Sequence, residues 1–311
     1  MSGRPEITVA VPVKDRRERM LRCLTALLGL NHPSYEVLVV DNGSTDGTYE
    51  ACVEAASATE IPVRVVREGG GVGRLRNRAA RLAHGRLVAF TDSDCMPSAE
   101  WLDDMGRRFE RDPSLGVVQG PTRPDPAVPM EPWCATQDLP EWTGRFECCN
   151  LVVRREALLG SAGFDEEIFF GEDTAGGLAM LRQGWRAEFA PNALVFHDVT
   201  KPGFGWWMRK GFAYGNFARI VRLYPEVRSQ TLWLGLFLER YHALLLAALV
   251  GVGLSRLDKR ALALALPYVQ RRFPRTLERG NLAGTGQRVA FELAILFGLI
   301  KGSVVHRAPV L

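Results

Sequence analysis

Residues 86–102, RLVAFTDSDCMPSAEWL, join an apolar run to a pair of acids. Residues 87–90 have the composition of a buried strand, and Asp92 and Asp94 follow with only Ser93 between them. Residues two apart in a strand share a face, so this spacing predicts that the two carboxylates converge. The pattern predicts a ligand site at the carboxyl end of the strand, where open α/β sheets bind their ligands.

Two neighbouring carboxylates repel each other unless a cation lies between them. Mn²⁺ or Mg²⁺ suits this position, because a hard ion held by carboxylates keeps coordination positions for phosphate oxygens. The same acids could simply cap the next helix, and a lone D-x-D triplet does not decide between the two interpretations.

The stretch belongs to a longer alternation of strands and helices that fills the first 200 residues. Segments with helical apolar spacing separate the β-branched apolar runs. Alternation at this spacing predicts an α/β fold with a mixed, mostly parallel sheet flanked by helices. The first five predicted strands are 7–13, 35–43, 61–68, 86–94 and 115–122.

Composition and charge divide the chain into two parts. The hydrophobic fraction of 47% is enough for a packed core. Residues 201–311 contain 17 Lys and Arg against 5 Asp and Glu, whereas the first 200 contain 22 against 30. We therefore expect a catalytic domain over residues 1–202 and a basic, apolar, helical region over residues 203–311.

Cysteine usage and the N-terminus favour the cytoplasm. None of the six cysteines forms a C-x-x-C pair, so neither a zinc site nor a disulfide framework is indicated. No long apolar run precedes the first charges, and we expect no signal peptide.

The C-terminal region mixes apolar runs with aromatic and basic residues. A membrane-spanning helix needs about 20 apolar residues, and the run after Arg240 has only about 14. We expect helices that lie on the cytoplasmic face of a membrane, or that pack on the catalytic domain or on a second copy of the chain. We expect no nucleic-acid partner, because the first part is acidic and contains no nucleic-acid-binding motif.

Three further motifs would reach the same edge of the sheet. Asp41 ends the second strand in VVDNGS, where it can accept a hydrogen bond from a base N–H, although the rest of the motif is ordinary turn chemistry. The glycine-rich loop EGGGVG precedes a helix with Arg76, which suits a diphosphate or a solvated basic helix. Glu172 and Asp173 open a helix as caps or as a general base, and His197 ends a late strand.

Taken in order, these motifs resemble the family 2 glycosyltransferases of GT-A fold over residues 6–200. The resemblance implies an inverting enzyme of the hexosyltransferase type that uses a nucleotide-sugar donor and Mn²⁺ or Mg²⁺. A UDP-sugar is the first expectation for the donor, and a lipid-linked or other hydroxyl compound for the acceptor. No processive Q-x-x-R-W signature is present, which favours the addition of a single sugar.

The resemblance also assigns roles to individual residues. Pro12 and Val13 would line the base pocket, Asp41 would bind the base, and Arg76 would contact the donor phosphates. Ser93 belongs to the donor-binding set through its place in the D-S-D motif.

The remaining roles concern the metal and the acceptor proton. Asp94 would bind the metal, and Asp92 would bind the metal or the donor ribose. His197 would complete the metal shell, and Asp173 would be the general base, with Glu172 beside it as the alternative.

Two other classes of protein stay open. A phosphatase of the haloacid dehalogenase type also uses aspartates two residues apart, but after its first strand. A non-catalytic nucleotide or sugar binder could retain the same fold. The helix after GED departs from the family pattern with two glycines and a methionine, which points to an unusual acceptor side.

Overall fold

The computed structural model describes residues 4–272 and 282–311, which divide into two compact units. The first unit comprises Met1–Met130 and Cys134–Thr200, and the second comprises Glu131–Trp133 and Lys201–Leu311. Every residue assigned to the candidate site lies in the first unit.

The first unit is built on a seven-stranded sheet in the order β3-β2-β1-β4-β8-β6-β9. The pairs β1–β2, β2–β3, β1–β4 and β6–β9 are parallel, and β8 runs antiparallel to both of its neighbours. The prediction of a mixed, mostly parallel sheet is confirmed. The strands are β1 Ile7–Val13, β2 Tyr35–Asp41, β3 Val63–Arg67, β4 Leu87–Phe90, β5 Cys95–Pro97, β6 Leu115–Gln119, β7 Thr122–Pro124, β8 Leu151–Arg154, β9 Arg186–Phe189 and β10 Val195–His197.

Helices cover the sheet with amphipathic faces. Trp101, Leu102, Met105 and Phe109 of one helix are fully or almost fully buried, because their spacing places them on a single helix face. The helices of this unit are α1 Arg17–Leu28, α2 Thr48–Ser57, α3 Val72–Leu82, α4 Trp101–Arg111, α5 Arg155–Gly160 and α6 Glu172–Leu181, with a 3-10 turn at Cys148–Asn150.

The fourth strand is shorter than its sequence predicts. It ends at Phe90, and the backbone N–H of Cys95 donates to the carbonyl of Asp92, which closes a turn. The prediction that Asp92 and Asp94 share a strand face is therefore wrong, because acids favour turns over extended strands.

A second sheet of three short strands forms beside this turn, in the order β5-β10-β7. The antiparallel pairing of β5 with β10 places Cys95 opposite His197. The backbone N–H of Asp198 also donates to the carbonyl of Asp94. Residues about a hundred positions apart in sequence thereby become neighbours.

The second unit is helical. Its helices are α7 Phe204–Ala213, α8 Phe217–Leu223, α9 Val227–Gln230, α10 Arg240–Leu254, α11 Leu266–Arg272 and α12 Leu282–His306, with 3-10 turns at Tyr214–Asn216 and Lys259–Ala265.

Glycines bring two segments of this unit into backbone contact. A Cβ atom at Gly215 would lie 2.4 Å from the carbonyl oxygen of Gly298, and one at Gly302 would lie 2.0 Å from that of Gly215. Small residues four apart allow the same close packing between membrane helices. Within the described residues one helix, Gly286–His306, is long and apolar enough to cross a membrane, with 39% of its apolar window buried. Core helices of soluble proteins meet the same criterion.

Candidate active site

Asp41 lies where β1 and β2 end side by side. Val13 pairs with Asp41 in the parallel register, and Pro12 pairs with Val40. The Asp41 Oδ1 atom accepts the backbone N–H of Ser44 at 3.0 Å. Its Oδ2 atom is buried and has no hydrogen-bond partner among the described residues. A buried carboxylate oxygen without a partner is costly, and a base N–H is the type of donor that would satisfy it.

The glycine-rich loop is fixed to the end of β2. The Asn42 amide donates to the carbonyl of Gly70 at 3.0 Å and accepts the Gly70 N–H at 3.2 Å. Gly70 has φ +132°, which other residues rarely adopt. The start of α3 is therefore held next to Asp41, where a diphosphate would follow a bound base.

Arg76 on α3 connects two of the predicted motifs. Its side chain is 6% exposed, donates to Asp92 Oδ1 at 3.0 Å, and forms an ion pair with Glu172. The pKa of Arg76 is raised well above its ordinary value, because the neighbouring thiol and carboxylates outweigh the effect of burial. Arg76 thus links the D-S-D turn to the start of α6, and its buried Nε atom has no hydrogen-bond partner in the described part of the chain.

Asp173, which follows Glu172 at the start of α6, is held by backbone N–H groups. Its Oδ1 atom accepts the backbone N–H of Thr174 at 2.7 Å, and its Oδ2 atom accepts that of Cys148 at 3.4 Å. Burial, followed by the charge of Glu172, raises the pKa of Asp173 well above that of an ordinary aspartate. A carboxylate with a raised pKa is the better proton acceptor, as a general base requires.

Asp94 and His197 form a second group of neighbouring side chains in the site. The His197 Nε2 atom lies 3.6 Å from Asp94 Oδ1, and both side chains are largely buried. The His197 Nδ1 atom lies 2.8 Å from the carbonyl oxygen of Asp198. A carbonyl accepts a hydrogen bond only from a donor, so Nδ1 carries a hydrogen, and Nε2 is the ring nitrogen that faces Asp94. Metal-binding histidines usually have this backbone support.

These residues fit a divalent metal ion. Ligand atoms of Asp94, Cys95 and His197 lie within 4.8 Å of one another. Burial raises the pKa of the Cys95 thiol well above its ordinary value, so Cys95 stays neutral and is a poor ligand for a hard ion. The carboxylate of Asp94 and the imidazole of His197 are the donors that Mn²⁺ accepts. Asp92 lies outside this group and is held by Arg76.

Ser93 is buried between the two aspartates. The donor-binding roles of Pro12, Val13 and Ser93 stay predictions, as do the phosphate contact of Arg76 and the ribose or metal contact of Asp92.

Arginines of α1 were missed by the sequence analysis. Arg16, which precedes α1, forms an ion pair with Asp94 Oδ2. Arg19 and Arg22 pair with the buried Asp198 at 3.2 and 3.0 Å, and so support the residue that holds His197. The cluster KDRRERMLR signals only a charged helix, because nothing in it marks which arginines face the sheet.

The sheet and its flanking helices have the architecture of the GT-A fold. Residues 8–136 match the family described as Glycosyl transferase family 2. The resemblance noted in the sequence is confirmed at this level.

Related proteins agree with this assignment. The chain is 27% identical over 223 residues to the glycosyltransferase AglE of Haloferax volcanii, covering 68% of this chain and 72% of AglE. It is 27% identical over 272 residues to the pre-mycofactocin glycosyltransferase of Mycobacterium tuberculosis, covering 83% of this chain but 56% of that protein. The chain therefore spans little more than half of the latter relative.

A solved structure supports the fold. The mannosyltransferase PcManGT of Pyrobaculum calidifontis, determined with GDP-Man and Mn²⁺, superposes with a TM-score of 0.65 at 21% identity. The superposition covers 97% of this chain and 88% of PcManGT.

Proposed function

We propose that this protein is an inverting, metal-dependent glycosyltransferase of the hexosyltransferase type that adds a single sugar to an acceptor hydroxyl. The observation that carries the proposal is that the acidic side chains of the site make different contacts. Arg76 engages Glu172 and Asp92, Asp94 faces His197, and Asp173 keeps a raised pKa.

Asp173 is the proposed general base. Its carboxylate would accept the proton of the acceptor hydroxyl as the hydroxyl oxygen attacks the anomeric carbon. The bond between that carbon and the phosphate oxygen breaks, and the nucleoside diphosphate leaves with the electron pair. The backbone N–H groups of Thr174 and Cys148 fix the orientation of the carboxylate. Glu172 is less suited to this role, because its carboxylate is engaged in the ion pair with Arg76.

Asp94 and His197 are the proposed metal ligands. When bound, Mn²⁺ or Mg²⁺ would supply Lewis-acid stabilisation of the negative charge on the leaving phosphate. The carbonyl of Asp198 holds the imidazole in the tautomer that this role needs. Asp41 would bind the base through Oδ2, and Arg76 would contribute positive charge next to the diphosphate.

The second unit supports a proposal for the acceptor and for the location of the enzyme. A lipid-linked acceptor suits a chain whose C-terminal region is basic and contains the apolar helix Gly286–His306. We propose that the enzyme works on the cytoplasmic face of a membrane. UDP-sugars remain the first choice of donor. Because PcManGT was determined with GDP-Man, GDP-sugars should be tested alongside them.

The experiment is a panel of UDP-, GDP- and dTDP-sugars, each incubated with a soluble acceptor analogue in Mn²⁺ and in EDTA. The expected result is transfer in Mn²⁺ alone, with an anomeric configuration in the product opposite to that of the donor. Binding without turnover on any donor would favour a non-catalytic binder. Release of inorganic phosphate from phosphomonoesters would favour the phosphatase.

A further inference from the structure

The second unit exposes many apolar side chains on a helical hairpin. The hairpin consists of α10, the 3-10 turn Lys259–Ala265 and α11. Nine large apolar residues within it are at least 41% exposed, and Leu257 at the connection is 88% exposed. We call these nine residues the hairpin face: Leu249, Val250, Val252, Leu254, Leu257, Leu262, Leu264, Leu266 and Val269.

Other residues of the same hairpin contribute to the packing of the unit. Leu245, Ala248 and Tyr268 are buried in one cluster with Leu296. A Cβ atom at Gly251 would lie 2.6 Å from the carbonyl oxygen of Ala261, so the two arms of the hairpin touch there. The residues of the hairpin face are not part of this buried cluster. Exposed apolar surface of this extent indicates an interaction site.

Cations lie beside the hairpin face. Arg256, Lys259 and Arg260 flank Leu257, and all three are exposed. Asp258 is the only acid in residues 249–271, and its carboxylate caps the 3-10 turn by accepting the Arg260 N–H at 2.9 Å. Apolar side chains beside three cations match an anionic lipid surface, where the side chains enter the acyl boundary and the cations meet the headgroups.

We propose that the hairpin face docks on an anionic bilayer, with Leu257 inserted and with Arg256, Lys259 and Arg260 among the lipid phosphates. A second copy of the chain is a poorer occupant. Symmetric pairing around Leu257 would bring the same cations together, and like charges facing each other oppose association. The proposal identifies the surface that would hold the enzyme on a membrane, and it depends on no step of sugar transfer.

The test is flotation of the full chain with vesicles of phosphatidylcholine alone and of phosphatidylcholine mixed with phosphatidylglycerol. The expected result is binding to the mixed vesicles only, weakened by salt. The double variant Leu257→Glu, Leu262→Glu should not bind. The matched control is Val53→Glu, Leu159→Glu, which places the same charges at exposed apolar positions of the first unit and should bind like the parent.

The cations are tested separately in a variant that keeps the apolar residues. Changing Arg256, Lys259 and Arg260 to Gln should weaken binding by about fivefold per residue. Hydrogen exchange should show protection of residues 249–271 on mixed vesicles. Circular dichroism and transfer to a soluble acceptor identify variants that have lost the fold.

Three results would overturn the proposal. One is the absence of binding by the parent chain to mixed vesicles. Another is full binding by the Leu257→Glu, Leu262→Glu variant, which would place the contact elsewhere. The third is a dimer in light scattering that this variant abolishes without any vesicle binding, since the hairpin face would then join two copies. None of these results bears on whether the first unit transfers sugar.

Discussion

The guanidinium of Arg16 occupies one carboxylate oxygen of Asp94, and His197 faces the other. Asp94 is the residue that we propose as a metal ligand. In the absence of an ion, Arg16 neutralises the carboxylate that an ion would neutralise. Because one carboxylate oxygen cannot bind a guanidinium and a metal ion equally well at once, the two cations would compete for Asp94.

Removing Arg16 should therefore strengthen metal binding in the absence of a donor. We expect Arg16→Ala to bind Mn²⁺ about two- to fivefold more tightly, a modest gain because the Arg16 side chain is 41% exposed and water already weakens its ion pair. The measurement is calorimetric titration of the donor-free protein. Arg17→Ala, an exposed neighbour with the same loss of charge, is the control. Equal affinities of the two variants would show that Arg16 does not compete.

Metal and donor should bind cooperatively at Asp94 and His197. Negative diphosphate next to Asp94 is unfavourable without an ion, so UDP or GDP should bind at least tenfold more weakly in EDTA. Asp94→Asn and His197→Ala should lose most of this difference. Cys95→Ala should keep it, because the neutral thiol of Cys95 is not an expected ligand. A large effect of Cys95→Ala on Mn²⁺ affinity would place the thiol in the metal shell.

The sequence predicts the strands of the sheet, but it does not predict the contacts between the side chains of the site. The apolar runs of β1, β2 and β4 predict buried parallel strands, since only strands covered on both faces are apolar throughout. The ion pairs of Arg76 and Arg16 could not be predicted. They depend on where α1, α3 and α6 lie in space, and a charged helix does not show which of its arginines turns inward.

The proposed metal site could also be predicted only in part. The acids of the D-S-D turn and His197 are visible as residues that end apolar segments. Their contact depends on the pairing of β5 with β10, two three-residue strands too short to show a periodic pattern. The shared strand face predicted for Asp92 and Asp94 is wrong because β4 ends at Phe90, before either residue.

Asp41 should govern the choice of base. Its Oδ2 atom lacks a partner within the described residues, so Asp41→Asn would replace an acceptor by a mixed donor and acceptor. We expect the affinity for UDP or GDP to fall by about tenfold or more, which is the usual effect of losing a hydrogen bond to a charged group. Binding of inorganic pyrophosphate in Mn²⁺ should not change. A parallel loss of pyrophosphate binding would mean that Asp41 supports the loop and does not contact the base.

Asp173 should control the pH dependence of transfer. We expect Asp173→Asn to retain donor affinity and to lower kcat by about 10²–10⁴-fold. The base acts only when ionised, and its pKa is raised, so kcat should rise with pH through a range above that of an ordinary aspartate. Glu172→Gln removes a charge that raises this pKa and should move the rise toward lower pH. If Glu172→Gln abolishes transfer while Asp173→Asn preserves it, the base is Glu172.

The raised pKa of Asp173 also predicts an effect on stability. Folding favours the protonated carboxyl, so above the pKa of an unfolded aspartate the charged form costs folding free energy, and the cost grows as pH rises toward the folded pKa. Asp173→Asn removes that cost. We therefore expect the variant to have a higher Tm than the parent at neutral pH, with a gain that disappears as the pH falls toward about 4. The measurement is thermal unfolding of both proteins between acidic and neutral pH. Asp112→Asn, a half-buried aspartate whose pKa is lowered by hydrogen bonds from Ser114, is the control with the opposite shift and should lose stability at neutral pH. A loss of Tm in Asp173→Asn at neutral pH would show that the charged carboxylate stabilises the site, and would contradict the raised pKa.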